Sequence, residues 1–103
     1  MNLDAMIGGW FVGDFEPSAI RTKDFEVAVK KYKAGDKEAR HTHKVAIELT
    51  VVISGKVLMN SQEYEEGSII QISPNTSSDF EAIEDTVTVV VKTPSVAGDK
   101  YIL

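Results

Sequence analysis

The sequence is divided into many short segments of β-forming residues by closely spaced turn signals, and this pattern restricts the fold more than any other feature. Phe25 to Tyr32 alternates apolar with polar residues, as a strand with two different faces does. Ile47 to Ile53 is rich in β-branched residues and ends at Ser54-Gly55, a dipeptide typical of a hairpin turn. The same criteria predict further strands at Lys56 to Met59, Ser68 to Ile72, Phe80 to Ile83 and Thr86 to Lys92.

No segment has the apolar periodicity of an amphipathic helix, and the best window, Met1 to Trp10, is short and contains Gly8-Gly9. Many short strands without helices are typical of an antiparallel β-sandwich or β-barrel, which closes the sheet and so removes its free edges. We therefore expect an all-β barrel over residues 25–103, with residues 1–24 as a lead-in segment that packs on the barrel or on a dimer partner. Val96 to Leu103 is expected to form a C-terminal arm or an edge.

The composition sets limits on size, chemistry and partners. A chain of 103 residues has room for one domain with one small core. The sequence has no cysteine, which excludes disulfides, thiolate metal sites and cysteine nucleophiles. The net charge of −5 argues against nucleic acid and anionic membranes as partners. Neither a secretory signal nor an apolar run of about 20 residues is present, so we expect a cytoplasmic protein.

The two histidines of the chain, His41 and His43, are separated by a single residue. In an extended segment, residues i and i+2 point to the same side, so both imidazoles face one way. Glu48 follows, and its side chain points away from those of Ile47 and Leu49. If these two neighbours pack outward, Glu48 faces the interior, where a buried carboxylate needs a partner. Two imidazoles and a carboxylate are ligands of divalent transition metals, so we predict a metal site at His41, His43 and Glu48.

The spacing around the histidines resembles the first motif of the cupin family. Gly35, His41, His43, Glu48 and Gly55 match that motif at every defining position and spacing, and the resemblance covers most of the chain. It implies a small jelly-roll barrel in which the two histidines and the glutamate bind a divalent metal, with iron, manganese, nickel and zinc as candidates. It also implies a homodimer and a small, oxygen-rich ligand of carbohydrate or carboxylate type.

The second motif of that family, which supplies a further histidine, is only partly present. One alignment puts Ser78 at the histidine position and Asn75 at a glycine position, where asparagine tolerates the left-handed backbone region. The other alignment starts from Pro74 and puts Asp79 at the histidine position. Neighbouring residues of a strand point to opposite faces, so only one of the two faces the cavity. The apolar pattern favours Ser78, which shares its face with Phe80, and leaves Asp79 as the alternative fourth ligand.

Other residues give weaker signals. Tyr32 and Tyr64 are candidates to line the ligand pocket, although a partly buried tyrosine with a solvated hydroxyl would explain them equally well. Arg40 and Lys44 have the opposite parity to the histidines and are expected in solvent. Trp10-Phe11 is expected to anchor the N-terminal segment at the barrel mouth or on a second subunit.

Three functions are compatible with the sequence. The first is a metal-dependent enzyme, whose reaction the fold alone does not determine. The second is a non-catalytic module that binds a sugar or another small molecule, which the eroded second motif favours. The third is a structural dimer module without a metal, which would act through Trp10-Phe11 and the C-terminal arm. The sequence identifies no catalytic residue, so the choice between enzyme and binding module stays open.

Overall fold

The computed structural model describes residues 1–103 and contains two five-stranded antiparallel sheets. Two short 3₁₀ turns, Leu3–Ala5 and Ile7–Gly9, precede the strands. The strands are β1 (Trp10–Val12), β2 (Glu26–Tyr32), β3 (Lys37–Thr42), β4 (Ile47–Ser54), β5 (Lys56–Met59), β6 (Gln62–Glu65), β7 (Ile69–Ile72), β8 (Ser78–Ala82), β9 (Thr86–Thr93) and β10 (Tyr101–Ile102). The first sheet has the order β1-β2-β9-β4-β7, and the second has the order β10-β3-β8-β5-β6.

The predicted all-β, antiparallel class is confirmed, and each predicted strand is found with small shifts of its ends. The largest shift is in β8, which begins at Ser78 and not at Phe80. Four strands, β1, β3, β6 and β10, are additional to the predicted ones. They are either rich in polar residues, as β6 is, or only two or three residues long, so no apolar alternation marks them. No helix of the chain has the length and apolar composition needed to cross a bilayer.

The apolar core is one cluster of seven buried residues from both sheets: Val52, Val57, Met59, Ile70, Ile72, Phe80 and Ala82. Glu48, Thr50 and Val52 alternate with more exposed residues along β4, so all three face the interior. Along this face, the interior changes from apolar at Val52 to polar at Glu48. The polar end of the barrel is therefore where a site can form.

The pairing of β9 with its two neighbours places charges inside the barrel. Lys92 lies opposite Glu26 of β2 on one side and opposite Glu48 of β4 on the other. Two rows further along the same inner face, Lys30 of β2 lies opposite Thr88. The interior of the first sheet thus has a charged row at its polar end.

The alternation along β2 is the reverse of that in an ordinary half-buried strand. Ala28 has no exposed surface and faces inward with Glu26 and Lys30, whereas Val27 and Val29 are on the outer face. Apolar residues of this strand therefore face away from the barrel interior, and two charged residues face into it.

Two turns fix the ends of strands next to the site. Gly55 has a φ of +94°, and a Cβ atom there would collide with the carbonyl oxygen of Asp85, so the turn between β4 and β5 requires glycine. Asn75 has a φ of +64°, the left-handed conformation that asparagine tolerates. Its backbone N–H donates a hydrogen bond to the carbonyl oxygen of His43 at 2.7 Å. This bond ties the turn before β8 to the histidine segment.

Candidate metal centre

His41, His43 and Glu48 meet at the polar end of the barrel, where one ligand atom of each lies within 4.8 Å of the others. Their exposed fractions are 7%, 3% and 8%, so all three are buried. His41 is on β3, His43 follows the end of that strand, and Glu48 is on β4 of the opposite sheet. The grouping therefore depends on the packing of the two sheets, and it brings together the three residues predicted from the sequence.

The ring of His41 is oriented by the backbone. Its Nδ1 lies 2.9 Å from the carbonyl oxygen of Ala39, which can only accept, so Nδ1 carries the proton and donates. The Nε2 lone pair is then free to bind a metal. This is the second contact that most metal-binding histidines make, and it fixes both the tautomer and the ring orientation.

The ring of His43 is perpendicular to that of His41, with an interplanar angle of 83° and ring centroids 5.1 Å apart. Its Nε2 is buried and has no hydrogen-bond partner. Burial, together with the nearby positive charges of Lys92 and His41, lowers the pKa of His43 to about 4. At neutral pH the imidazole is therefore neutral, which is the form that binds a metal.

The loop after His43 is held by a buried carboxylate. Asp99 accepts hydrogen bonds from the backbone N–H groups of Lys44, Val45 and Ala46 at distances of 2.9 to 3.2 Å. Burial opposes the charged form of Asp99, but these backbone donors outweigh it and lower its pKa. The C-terminal segment therefore positions the loop that joins His43 to β4.

The carboxylate of Glu48 has no hydrogen bond and no ion pair shorter than 4.0 Å within the protein. Burial raises its pKa, and the positive charge of Lys92 opposes that rise without cancelling it. An ionised carboxylate in this position lacks the partner that a buried charge requires.

A divalent cation fits this arrangement. It would accept the free Nε2 of His41, the orphaned Nε2 of His43 and the unpaired carboxylate of Glu48, and would supply the positive charge that Glu48 lacks. Two nitrogen donors and one carboxylate are compatible with iron, manganese, nickel and zinc.

The two candidates for the fourth position differ in direction. Ser78 is 3% exposed, lies opposite His41 in the pairing of β3 with β8, and lines the cavity beside Glu48. Asp79 is at the cavity rim, and its carboxylate is 2.8 Å from the guanidinium of Arg40 and accepts from the backbone N–H of Asn60. Ser78 is therefore the inward residue, and the carboxylate of Asp79 is used by surface contacts.

The two tyrosines both pack against the apolar core, but only one of them lines the cavity beside Glu48. Tyr32 lines the cavity, its ring is 4.4 Å from that of Phe80, and its hydroxyl donates to Glu38 at 3.1 Å. Burial and the adjacent Glu38 raise the pKa of Tyr32 well above its ordinary value, so it stays protonated. Tyr64 does not line this cavity and is partly buried, which is the alternative that the sequence left open. It is on the edge strand β6 and packs against the apolar core.

Two cavities reach the candidate metal centre. One, of about 100 Å³, is lined by His41 and Glu48, and the other, of about 290 Å³, is lined by His43. Trp10, Lys92 and Lys100 line both. The half-buried Trp10 side chain thus contacts the cavity walls, and its expected role as an anchor of the N-terminal segment stays a prediction.

Sequence reasoning missed the charged residues of these walls: Lys30, Lys92, Lys100, Glu26, Glu38 and Asp99. The alternation in β2 predicts two different faces but does not say which one is inside, so the sequence did not mark Glu26 and Lys30 as wall residues. Glu26, Lys30 and Lys92 share the parity of the fully buried Ala28 and Thr88, but only the structure shows that this parity faces inward.

No family model matches the sequence, and no curated protein matches it. Solved structures do match. A protein with a double-stranded β-helix domain from Klebsiella pneumoniae has a TM-score of 0.74 and 21% identity, over 99% of this chain and 88% of that one. KdgF from Halomonas sp. has a TM-score of 0.66 and 19% identity, over 73% and 74% of the two chains. A cupin-2 domain protein from Shewanella frigidimarina has a TM-score of 0.60 and 16% identity, over 70% and 72%. Identities this low concern the fold alone, and together with the two antiparallel sheets they show that the chain has the cupin fold.

Proposed function

We propose that this protein binds a divalent transition metal through His41, His43 and Glu48 and presents it to a small, oxygen-rich molecule in the barrel. The observation that carries the proposal is the convergence of three ligand atoms, one of which is unsatisfied. One ligand atom each of His41, His43 and Glu48 lies within 4.8 Å of the others, and the Nε2 of His43 is buried without a partner. Unpaired buried groups of this kind are costly unless something binds them.

The donor set supports a site that is open to a ligand. Three protein ligands leave at least one metal position free, as in sites that bind water or substrate. A metal bound there would polarise an oxygen atom of the ligand. Ser78 would lie beside that open position with a neutral hydroxyl, and Tyr32 would form part of the wall. The small cavity volumes favour a molecule with few heavy atoms, of carbohydrate or carboxylate type.

Metal content tests the proposal directly. Protein purified without a polyhistidine tag, then dialysed against zinc, manganese, iron(II) or nickel, is expected to retain about one metal ion per chain of at least one of these metals, measured by plasma mass spectrometry. His41→Ala and His43→Ala are expected to lose it. Glu63→Gln, which changes an exposed acid on β6, is the control and should retain it. A metal content of the wild type that stays at the background level after reconstitution would contradict the proposal.

A second proposal concerns the assembly, because the outer face of the first sheet is apolar. The pairing of β2, β9 and β4 places Val29, Val89 and Val51 in one outward row, and the next row contains Val27, Val91 and Leu49. These side chains are half-buried, and Ile69 at the sheet edge is 70% exposed. A monomer rarely exposes so continuous an apolar face.

We propose that a second copy of the chain covers this face. Five strands at a spacing of about 4.8 Å, the longest about 27 Å, form a face of at most about 650 Å² in projection. This area approaches the about 800 Å² per partner of a standard interface. Trp10 is not part of it, because its side chain lines the interior cavities. Light scattering is expected to give a dimer mass for the wild type and a monomer mass for Val89→Lys. The control is Ile83→Lys, at an exposed turn before β9, which should remain dimeric.

A further inference from the structure

Two lysine side chains lie inside the barrel beside the candidate metal centre. Lys30 projects from β2 and Lys92 from β9, and both line the cavity that contains His41 and Glu48. The ammonium groups are 5.1 Å and 4.9 Å from the ring centroid of Trp10, so each contacts the same indole. The indole therefore brings two cations from different strands to one part of the wall.

The two lysines differ in their partners. Lys92 forms an ion pair with Glu26 at 3.5 Å, and the side chains are only 13% and 14% exposed. Glu26 is held in place because its other carboxylate oxygen accepts a hydrogen bond from Ser95 at 2.8 Å. The charge of Lys92 is thus matched inside the protein.

Lys30 has no such partner. No carboxylate lies within 4.0 Å of its ammonium. Glu38, the acid whose charge acts on Lys30 most strongly, accepts a hydrogen bond from the hydroxyl of Tyr32. Burial lowers the pKa of Lys30, and Lys92 and Lys100 act in the same direction. Cation–π contact with Trp10 compensates only part of the cost of taking an ammonium out of water. The cavity therefore contains a cation that a bound anion would stabilise.

A second unsatisfied group lies beside Lys30. Thr88 has no exposed surface, its Oγ1 has no hydrogen-bond partner, and it lines the same cavity. Thr88 is also the direct cross-strand neighbour of Lys30 in the pairing of β2 with β9. An ammonium and a hydroxyl donor on adjacent strands form the kind of pair that holds an oxyanion.

The charge balance of the cavity agrees with an anionic ligand. In the cavity that contains Glu48, lysines 30, 92 and 100 match the acids Glu38, Glu48 and Asp79 in number, so its walls are close to neutral without a metal. A divalent metal would then give the cavity an excess of two positive charges, although the chain as a whole carries −5. Local charge therefore favours an anion where the overall charge opposes one.

We propose that Lys30, with Lys92 and Thr88, forms a subsite for the oxyanion group of a small oxygen-rich ligand, which extends from there toward His41, His43 and Glu48. The inference rests on the proposed function for the metal end of the ligand, but the subsite itself consists of protein groups alone. A carboxylate and a phosphate group share the required chemistry, and the probes below separate them.

Calorimetric titration with matched probes tests the subsite. D-Gluconate and D-sorbitol have the same carbon chain, but gluconate ends in a carboxylate where sorbitol has an alcohol. Inorganic phosphate is the probe for the other oxyanion. Zinc-loaded protein is expected to bind gluconate at least about tenfold more tightly than sorbitol, which is the effect of one charged hydrogen bond. Lys30→Met is expected to remove that tenfold preference. Lys31→Met is the control, since Lys31 is the exposed neighbour on the same strand and should keep it.

The outcomes separate the two oxyanions and the two proposals. Phosphate binding that exceeds gluconate binding and is lost in Lys30→Met would support the subsite and assign it to phosphate-bearing ligands. Equal affinities for gluconate and sorbitol with no phosphate binding, or a preference that survives Lys30→Met, would overturn the subsite. Metal content measured on the same samples reports on the metal proposal alone. A Lys30-dependent preference for gluconate in His41→Ala protein that holds no metal would support the subsite while the metal proposal failed.

Discussion

Lys92 of β9 is the direct cross-strand neighbour of Glu48 of β4, on the inner face of the first sheet. This one pairing joins the candidate metal centre to the cationic part of the cavity, because Glu48 is a predicted metal ligand and Lys92 contacts Trp10 beside Lys30. The same residue pairs with Glu26 on its other side. A single row across three strands therefore determines the charges that a metal and its ligand would meet.

Glu48→Gln is expected to stabilise the metal-free protein at pH 7 while it weakens metal binding. The raised pKa of Glu48 means that its charged form is less favourable in the folded than in the unfolded chain, so the ionised side chain costs stability above its folded pKa. A neutral amide of the same shape removes that cost. Metal affinity should fall by more than about tenfold, since one ligand is lost.

The measurements are thermal unfolding in EDTA and calorimetric titration with zinc. Glu63→Gln, at an exposed position of β6, serves as the control and should change neither. A lower melting temperature of Glu48→Gln than of the wild type in EDTA would mean that Glu48 has a partner that supports the fold without a metal.

The metal-free protein is expected to lose stability as the pH falls from about 6.5 to about 4, because of His43. Its pKa is lowered to about 4 by burial, from 6.5, so over this range the unfolded chain binds a proton that the folded chain does not. Protonation of Glu48 acts in the opposite direction, since its folded pKa is raised. The Glu48→Gln background therefore isolates the histidine effect.

Melting temperatures in EDTA, taken across that pH range, provide the measurement. In the Glu48→Gln background the melting temperature should decline toward pH 4, and the decline should be smaller in Glu48→Gln combined with His43→Asn. Identical declines in the two variants would assign the pH dependence to other groups.

Asp99→Asn is expected to destabilise the fold and to weaken metal binding. The Asp99 carboxylate accepts backbone hydrogen bonds from Lys44, Val45 and Ala46, the segment between the two histidines and Glu48. An amide loses the charge and can present only one acceptor oxygen, which should cost about 1–3 kcal/mol of unfolding free energy. Metal affinity should fall about 10- to 100-fold, as is usual for residues that position ligands.

Urea unfolding and zinc titration measure both effects. Asp24→Asn, at an exposed position, is the comparison and should behave as the wild type. If the stability fell but the zinc affinity did not, Asp99 would have no part in positioning the histidine loop.

Ser78→His is expected to strengthen metal binding by about tenfold or more, because it adds an imidazole at the open side of the centre. Ser78 is buried, lies opposite His41 and lines the cavity beside Glu48. Asp79→His is the matched control, because residue 79 points toward Arg40 at the surface and should give no gain. Zinc titrations of the two variants compare them, and a gain in Asp79→His alone would reverse the assignment of the inward residue.

The sequence was sufficient for the fold class and for the residues that meet at the centre, for different reasons. Turn signals and β-branched segments reflect local conformational preferences, which can be read from a single sequence. His41, His43 and Glu48 could be grouped because their spacing matches a motif, even though the grouping itself depends on contact between two sheets. Asn75 was also interpretable, because its left-handed backbone is a local property.

The charged walls could not be predicted in the same way. The alternation in β2 is clear, but it does not say which face is inside, and here Val27 and Val29 face outward while Lys30 faces inward. Burial of Lys30 and Lys92 depends on the pairing of β2 with β9, and these strands are about 60 residues apart in the chain. The sequence left open whether Tyr64 lines the pocket, because its position on the edge strand β6 depends on the sheet order.

Anomalous diffraction at the zinc edge, from crystals of the protein grown with zinc, tests the central claim most directly. The account predicts one strong peak per chain, about 2.0–2.2 Å from the Nε2 atoms of His41 and His43 and from a carboxylate oxygen of Glu48. A map with no peak between these three side chains, or with zinc bound only at other residues, would contradict it.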